Sequence, residues 1–293
     1  MQRAWRIAVV PVDHYENFPV ASLLCPAALR PAVEAIYWFA RTADDIADEG
    51  DAAAAARLAD LADYRRDLAS VAAGAPASQR WPGVFVPLAT AIERYRLPVD
   101  LLDDLLDAFT QDVTTVRYAD RASVLDYCRR SANPVGRLLL CLYGITDADA
   151  LLRSDGICTA LQLANFWQDL GHDARQGRLY IPEADCRRHG VDPVALLAGQ
   201  DSDATQALVL ELVAWTRGLM QYGAPLVHAI PGRSGWELRL VVQGGLRVLE
   251  RIESLHGATL TARPKLGWRD APAIAWRALR MRDAGADAPR LAA

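Results

Sequence analysis

The sequence is short of lysine, of strand-like runs and of long apolar stretches, and each shortage excludes a class of protein. Of the 32 basic residues in this 293-residue chain only Lys265 is a lysine; against them stand 36 acidic residues, for a net charge of -4. That balance lacks the electrostatic footprint of a nucleic-acid binder. The preponderance of arginine and alanine reads as compositional bias and carries no functional weight. The five cysteines, Cys25, Cys128, Cys141, Cys158 and Cys186, are odd in number, widely spaced and include no Cys-x-x-Cys pair. Neither a disulfide framework nor a thiolate zinc site is suggested, and a reducing cytoplasm is the expected compartment. No run of about 18 apolar residues occurs, so no membrane span is expected. The apolar run Ile7 to Val10 is too short for a signal-peptide core, and no glycine-rich strand–turn–helix fingerprint for a dinucleotide is present.

What the chain has is 52% hydrophobic residues, enough to bury a sizeable core, and they recur at helical spacing. Helices are expected at roughly 31–49, 55–73, 84–96, 99–111, 121–131, 134–144, 147–173, 203–229, 234–256 and 271–283, with loops at Gly74–Gly83, Gln176–Pro182 and Pro231–Ser234. With no linker and no internal repeat, the expectation is one all-α domain over 1–293, its tail frayed from about residue 284.

Two segments carry chemistry. In Tyr37-Trp38-Phe39-Ala40-Arg41-Thr42-Ala43-Asp44-Asp45-Ile46-Ala47-Asp48, Tyr37, Arg41, Asp44, Asp45 and Asp48 share a helical sector about 100° wide. Ile36, Ala40, Ala43 and Ala47 fall on the other side. Carboxylates one turn apart repel by a few tenths of a kcal/mol unless a counter-charge meets them, and a solvated acidic face is the plain reading of such a cluster taken alone. The second segment weighs against that reading. Gln162, Asn165, Asp169 and Asp173 fall within about 80° of one another on a helix otherwise lined by Leu161, Leu163, Ala164, Phe166 and Trp167. A helix apolar on most sides is buried, so its polar face needs partners. Two carboxylate faces looking into one cavity suit several Mg²⁺ ions, which bind through a few carboxylates plus substrate phosphates. The implied ligand is a diphosphate.

At these residues the chain resembles the squalene and phytoene synthases, head-to-head prenyltransferases of the all-α isoprenoid synthase fold, whose helices surround a central apolar cavity. The resemblance runs from His14 to about Glu253. It rests on His14 with Phe18, on Tyr37-x-x-x-Arg41-x-x-Asp44-x-x-x-Asp48, on Tyr127 with Gly136, and on Gln162-x-x-Asn165-x-x-x-Asp169-x-x-x-Asp173 leading into Arg178-x-Tyr180-x-Pro182. It implies Asp44, Asp48, Asn165, Asp169 and Asp173 as Mg²⁺ ligands, with Asp45 a further candidate. It also implies that His14, Tyr37, Arg41 and Gln162 line the diphosphate and reacting-carbon region. Tyr15, Asn17 and Arg178 join the substrate-binding candidates, and Tyr127, His14 and Tyr180 the catalytic ones.

Within that family the HYENFPVAS, YWFARTADDIADEG and ANFWQDLGHD blocks are most similar to bacterial hydroxysqualene synthases of hopanoid biosynthesis, and Gln168 stands where arginine is frequent. The implied reaction is Mg²⁺-dependent ionisation of presqualene diphosphate and capture of the cation by water, which needs no NADPH. Tyr127, Asn17 or His14 would position the water, and aromatic rings such as Trp38, Phe39, Phe166 and Trp167 would either face cations or fill the core. The alternatives are head-to-head condensation of two prenyl diphosphates and, in another class, a non-catalytic helical scaffold. Chain-elongating prenyltransferases share the Asp44-Asp45-x-x-Asp48 pattern but usually repeat it, and a di-iron bundle wants a second Glu-x-x-His beside Glu253-x-x-His256. The expected location is cytoplasmic. Peripheral contact at the inner face of the membrane and contacts with pathway enzymes stay open, although no basic amphipathic helix stands out.

Overall fold

Proline, glycine and a few short polar side chains punctuate the chain into thirteen helices among residues 25–281, which a computed structural model describes. In order they are α1 (Arg30–Asp48), α2 (Ala54–Ala72), α3 (Pro82–Tyr95), α4 (Val99–Asp112), α5 (Arg121–Ser131), α6 (Asn133–Leu142) and α7 (Ala148–Arg175). There follow α8 (Glu183–His189), α9 (Pro193–Leu197), α10 (Asp203–Gly223), α11 (Leu226–Ala229), α12 (Gly232–Ser254) and α13 (Ala271–Arg280). Asp120, Asp147 and Ser202 accept the backbone N–H of Ser123, Ala150 and Thr205 at 2.8, 2.9 and 3.1 Å and so open α5, α7 and α10. Each such cap contributes about 1 kcal/mol. Among the described residues there is no strand, only an isolated bridge between Arg117 and Leu179, in keeping with the all-α expectation.

The structure departs from the sequence expectation in two places. The region after Pro182 holds α8 and α9, of seven and five residues, too short to show a helical period. The helix expected over 203–229 is two, because Pro225 has no N–H to continue the ladder, and α10 ends at Gly223.

Two cores hold the two acidic helices. In the first, α1 packs on α2, α3 and α4 around Phe39, Tyr64 and Phe85, whose rings lie 4.7 to 6.1 Å apart. The Tyr64 hydroxyl donates to the Phe39 carbonyl at 3.1 Å, which satisfies the one polar atom of that trio. In the second, α7 packs on α5, α10 and α12 around buried Trp167, whose Nε1–H donates to Thr216 Oγ1 at 2.7 Å. Helices α4, α5 and α6 bridge the two, since α4 touches α1 and α2 on one side and α5 and α6 on the other.

The long helices α7 and α10 meet at backbone contact. A Cβ on Gly223 would stand 2.5 Å from the Arg153 carbonyl oxygen and 2.6 Å from Ile157 Cγ1, so only glycine lets the axes come this close. Gly223→Ala is therefore expected to cost about 1–3 kcal/mol in urea unfolding by the overpacking it forces, with native helicity retained at 25 °C. An unchanged unfolding midpoint would show that the contact yields freely.

Helix α13 is pinned to α12 by buried Asp270, which accepts from Arg247 Nε and Arg251 Nη2 at 2.7 Å each and from the Gly267 N–H at 2.9 Å. The Gly267 N–H, followed by the two guanidiniums, lowers its carboxyl to about 2. A carboxyl depressed in the folded state contributes stability above its unfolded pKa of about 4, and that contribution is lost as pH falls toward 2. Unfolding free energy should therefore fall between pH 4 and 2 more steeply in wild type than in Asp270→Asn, as denaturant titrations at each pH will show.

Candidate active site

Helix α1 sets Asp44 and Asp48 one turn apart, and α7 sets Asn165, Asp169 and Asp173 at the same interval. Both series open into one cavity of about 190 Å³, lined also by Gln162, Arg178, Tyr180, Tyr127, Phe166 and Asp112. The structure thus brings together ten of the residues singled out in the sequence: Asp44, Asp48, Tyr127, Gln162, Asn165, Phe166, Asp169, Asp173, Arg178 and Tyr180. Asp45 is not among the lining residues; it pairs with Arg41 Nη2 at 2.6 Å, and the same guanidinium reaches Asp44 at 3.3 Å and Glu49 at 2.6 Å. Tyr37 and Arg41 line an adjoining cavity that shares Asp44. His14, Tyr15, Asn17 and Phe18 lie outside the described residues.

The catalytic candidates sit at the cavity by identifiable means. The segment carrying Arg178 and Tyr180 runs beside residues 116–119, where Leu179 N–H donates to Val116 O and Glu183 N–H to Tyr118 O, both at 2.9 Å. Tyr180 stacks on Phe166 at 3.8 Å with the planes 3° apart. Tyr127, on α5, donates its hydroxyl to Asp112 Oδ2 at 2.8 Å. Burial raises both phenols well above their ordinary value, so both hydroxyls keep their protons. Of the four aromatic rings considered for cations, only Phe166 lines this cavity; Phe39 and Trp167 are core, and Trp38 is exposed.

Two cavity-side residues escaped the sequence reading. Asp112 closes α4, and in the run Asp103, Asp104, Asp107, Asp112 no spacing marks it from its neighbours. Arg263 pairs with Asp169, its Nε on Oδ1 and its Nη2 on Oδ2 at 2.9 Å, across a sequence separation of 94. The strand of chain that delivers it lies flush on α7. A Cβ on Gly171 would sit 2.1 Å from Leu260 O, and buried Gln168 donates its Nε2–H to Pro264 O at 2.7 Å. On the other wall, Arg178 Nη2 donates to Asp48 Oδ1 at 2.5 Å.

Even with these two arginines, negative charge is in excess. Burial first, then the charge of Asp169, pushes the Asp173 carboxyl up to about 7, and burial does the same to Asp112. Burial in this setting disfavours the charged carboxylates, and a cation bound among them would offset that cost. Every donor is an oxygen, from aspartate, asparagine or glutamine, which is the set that hard divalent cations take. By donor chemistry the residues present fit Mg²⁺, although as they stand no three acidic side chains among the described residues are grouped closely enough to enclose an ion. Away from the acids the surroundings turn apolar. The cavity at Tyr37 and Arg41 is lined by Val33, Ile36, Phe109, Val135 and Leu139; Val33, Val135 and Leu139 also wall a further space lined by Leu140, Ile157 and Leu161. A charged pocket leading into an apolar one suits a molecule with an anionic head and a long hydrocarbon tail.

Comparison with known proteins agrees with this geometry. Residues 12–270 match the model of the squalene/phytoene synthase family. A hydroxysqualene synthase from Zymomonas mobilis subsp. mobilis is 42% identical over 170 residues, 57% of this chain and 54% of that protein. Another, from Sinorhizobium fredii, is 34% identical over 241 residues, 82% of this chain and 79% of that protein. The crystal structure of the squalene synthase HpnC from Alicyclobacillus acidocaldarius superimposes with a TM-score of 0.76 at 34% identity, covering 83% of this chain and 90% of that one. Sequence match, fold and the pairing of carboxylate faces across a cavity converge, and the chain belongs to the squalene/phytoene synthase family.

Proposed function

We propose that this chain is a Mg²⁺-dependent hydroxysqualene synthase, converting presqualene diphosphate and water to hydroxysqualene and diphosphate. The observation that carries this reading is the meeting of Asp44 and Asp48 from α1 with Asn165, Asp169 and Asp173 from α7 in a cavity that leads into apolar space. The similarity to two hydroxysqualene synthases supports the choice of substrate and product.

Asp44, Asp48, Asn165, Asp169 and Asp173 would hold the metal, with Asp45 kept on Arg41. Bound Mg²⁺ supplies Lewis-acid charge that makes the diphosphate a leaving group. Arg178 at the acidic cavity and Arg41 at the adjoining one that shares Asp44 offer guanidinium donors that match phosphate oxygens. The carbon–oxygen bond breaks with both electrons going to the diphosphate, the cyclopropylcarbinyl cation opens, and a water oxygen bonds to it with loss of a proton. Tyr127, whose hydroxyl donates to Asp112, would position that water, and the stacked rings of Phe166 and Tyr180 at the cavity would face the cation. His14 and Asn17 remain candidates for the same water, and Tyr15 and Gln162 for substrate contact.

The test is product analysis by mass spectrometry with Mg²⁺ and no NADPH, presqualene diphosphate and farnesyl diphosphate being supplied in separate reactions. Hydroxysqualene from presqualene diphosphate alone is expected, and Asp44→Ala or Asp169→Ala should lower turnover on the order of a thousandfold, the several kcal/mol that metal charge stabilisation supplies, without loss of helicity. Consumption of farnesyl diphosphate would make the chain a condensing enzyme, and full turnover by the variants would remove the metal reading.

Arg263 supplies a second check, because its hold on Asp169 competes with a divalent ion for the same oxygens. Freeing Asp169 of a half-exposed pair worth about 1 kcal/mol should make Arg263→Gln bind Mn²⁺ about fivefold more tightly than wild type when no diphosphate is present, as read by electron paramagnetic resonance of the free ion. Equal affinity would show that the pair does not guard the site.

A further inference from the structure

Helix α13 and the loop before it carry a surface that neither core nor acidic cavity uses. The helix buries Ala278 and partly covers Ala273 and Ile274. On the opposite side Trp276, Leu279 and Arg280 fall within about 100° of one another. Trp276 and Leu279 are each 60% exposed, and Trp268, in the loop leading into the helix, is 81% exposed. Such large apolar side chains grouped in water mark an interaction surface.

The charge around them says what kind. Between residues 257 and 281 stand Lys265, Arg269 and Arg280, besides Arg263 and Arg277, which pair with Asp169 and Glu250, against one acid, Asp270, which is buried, in a chain whose net charge is -4. Arg269 lies 5.4 Å over the Trp268 ring and Arg280 5.2 Å over that of Trp276. Helix α12 repeats the pattern, with Arg239 5.1 Å over half-exposed Trp236 while donating to the Met281 carbonyl at 2.8 Å, at the end of α13. Tryptophan and leucine on one face with arginines at the rim is the composition that settles at the headgroup level of a bilayer. Because no helix among the described residues is long and apolar enough to cross a membrane, contact is confined to the surface.

We propose that the outer face of α13, with Trp268 and Trp236, docks this chain onto an anionic lipid bilayer. The sequence predicts a helix over 271–283 but no docking face, because alanine fills four of its ten observed residues and only Trp276 and Leu279 are large apolar side chains on the exposed side. Placement gives the contact a use. Glu237, Leu238 and Val241 of α12 line the apolar space beyond Tyr37 and Arg41, so the helix that carries Trp236 and holds α13 also walls the space suited to a hydrocarbon tail. That last step rests on the proposed prenyl diphosphate substrate; the docking itself does not.

The experiment is co-sedimentation of the full chain with sucrose-loaded vesicles, without Mg²⁺ or substrate, so that its outcome is independent of whether the enzyme turns over. Binding to equimolar phosphatidylglycerol and phosphatidylcholine is expected, weakened about tenfold or more both on pure phosphatidylcholine and in the triple variant Trp268→Ala/Trp276→Ala/Leu279→Ala, since apolar insertion and charge attraction are both required. Circular dichroism and Mg²⁺-dependent binding of inorganic diphosphate should be unchanged in the variant, which shows that it folds. Absence of wild-type binding to the anionic vesicles, or undiminished binding by the folded variant, would overturn the proposal. So would light scattering that shows a dimer which the triple substitution dissociates, for the face would then belong to a second copy.

Discussion

Five aspartates, Asp44, Asp48, Asp112, Asp169 and Asp173, converge on one cavity from three helices, and like charges at that range do not stay together unaided. Their repulsion is met in part by Arg178 on Asp48 and Arg263 on Asp169, while burial raises the Asp173 and Asp112 carboxyls to about 7. A divalent cation among these acids would relieve both their repulsion and the cost of burying them. Most of the molecule can be understood as what keeps α1 and α7 at the right separation while that charge pulls against it.

The separation is enforced by giving each acidic helix its own core. Helix α1 is held by the aromatic trio Phe39, Tyr64 and Phe85, and α7 by Trp167, Thr216 and the glycine contact with α10. Burial of each large ring contributes on the order of 2–3 kcal/mol, well above the few tenths lost to each like-charge pair on a helix. Between the cores the lining grades from carboxylates through Tyr37 and Arg41 to leucine and isoleucine. Head and tail of an amphiphile would thereby meet matching surroundings in adjoining cavities that share lining residues.

The long elements and the acidic faces were legible because both obey the helical period. Asp44 and Asp48, or Asn165, Asp169 and Asp173, are neighbours on a helix whatever the tertiary structure does. Tyr127, Tyr180 and Arg178 needed the family resemblance, since no local pattern sets them apart. Asp112 and Arg263 were illegible for a different reason: their roles depend on contacts made over long sequence distances, and Arg263 lies in a segment laid against Gly171 and Gln168 of α7. The departure at Gln168 proved to be such a contact, a buried amide on Pro264 rather than a cavity group. Asp45 shows the converse, for it shares the acidic sector of α1 and yet is held by Arg41 away from the cavity lining.

The central claim is that the two carboxylate faces act as one receptor for divalent ions and diphosphate. A crystal structure of the chain grown with Mn²⁺ and inorganic diphosphate, with anomalous maps to locate the metal, tests it most directly. The account predicts manganese peaks between Asp44 and Asp48 on one side and Asn165, Asp169 and Asp173 on the other, with Arg178 and Arg263 drawn off their aspartates. Intact Arg178–Asp48 and Arg263–Asp169 pairs with no metal between the helices would contradict it.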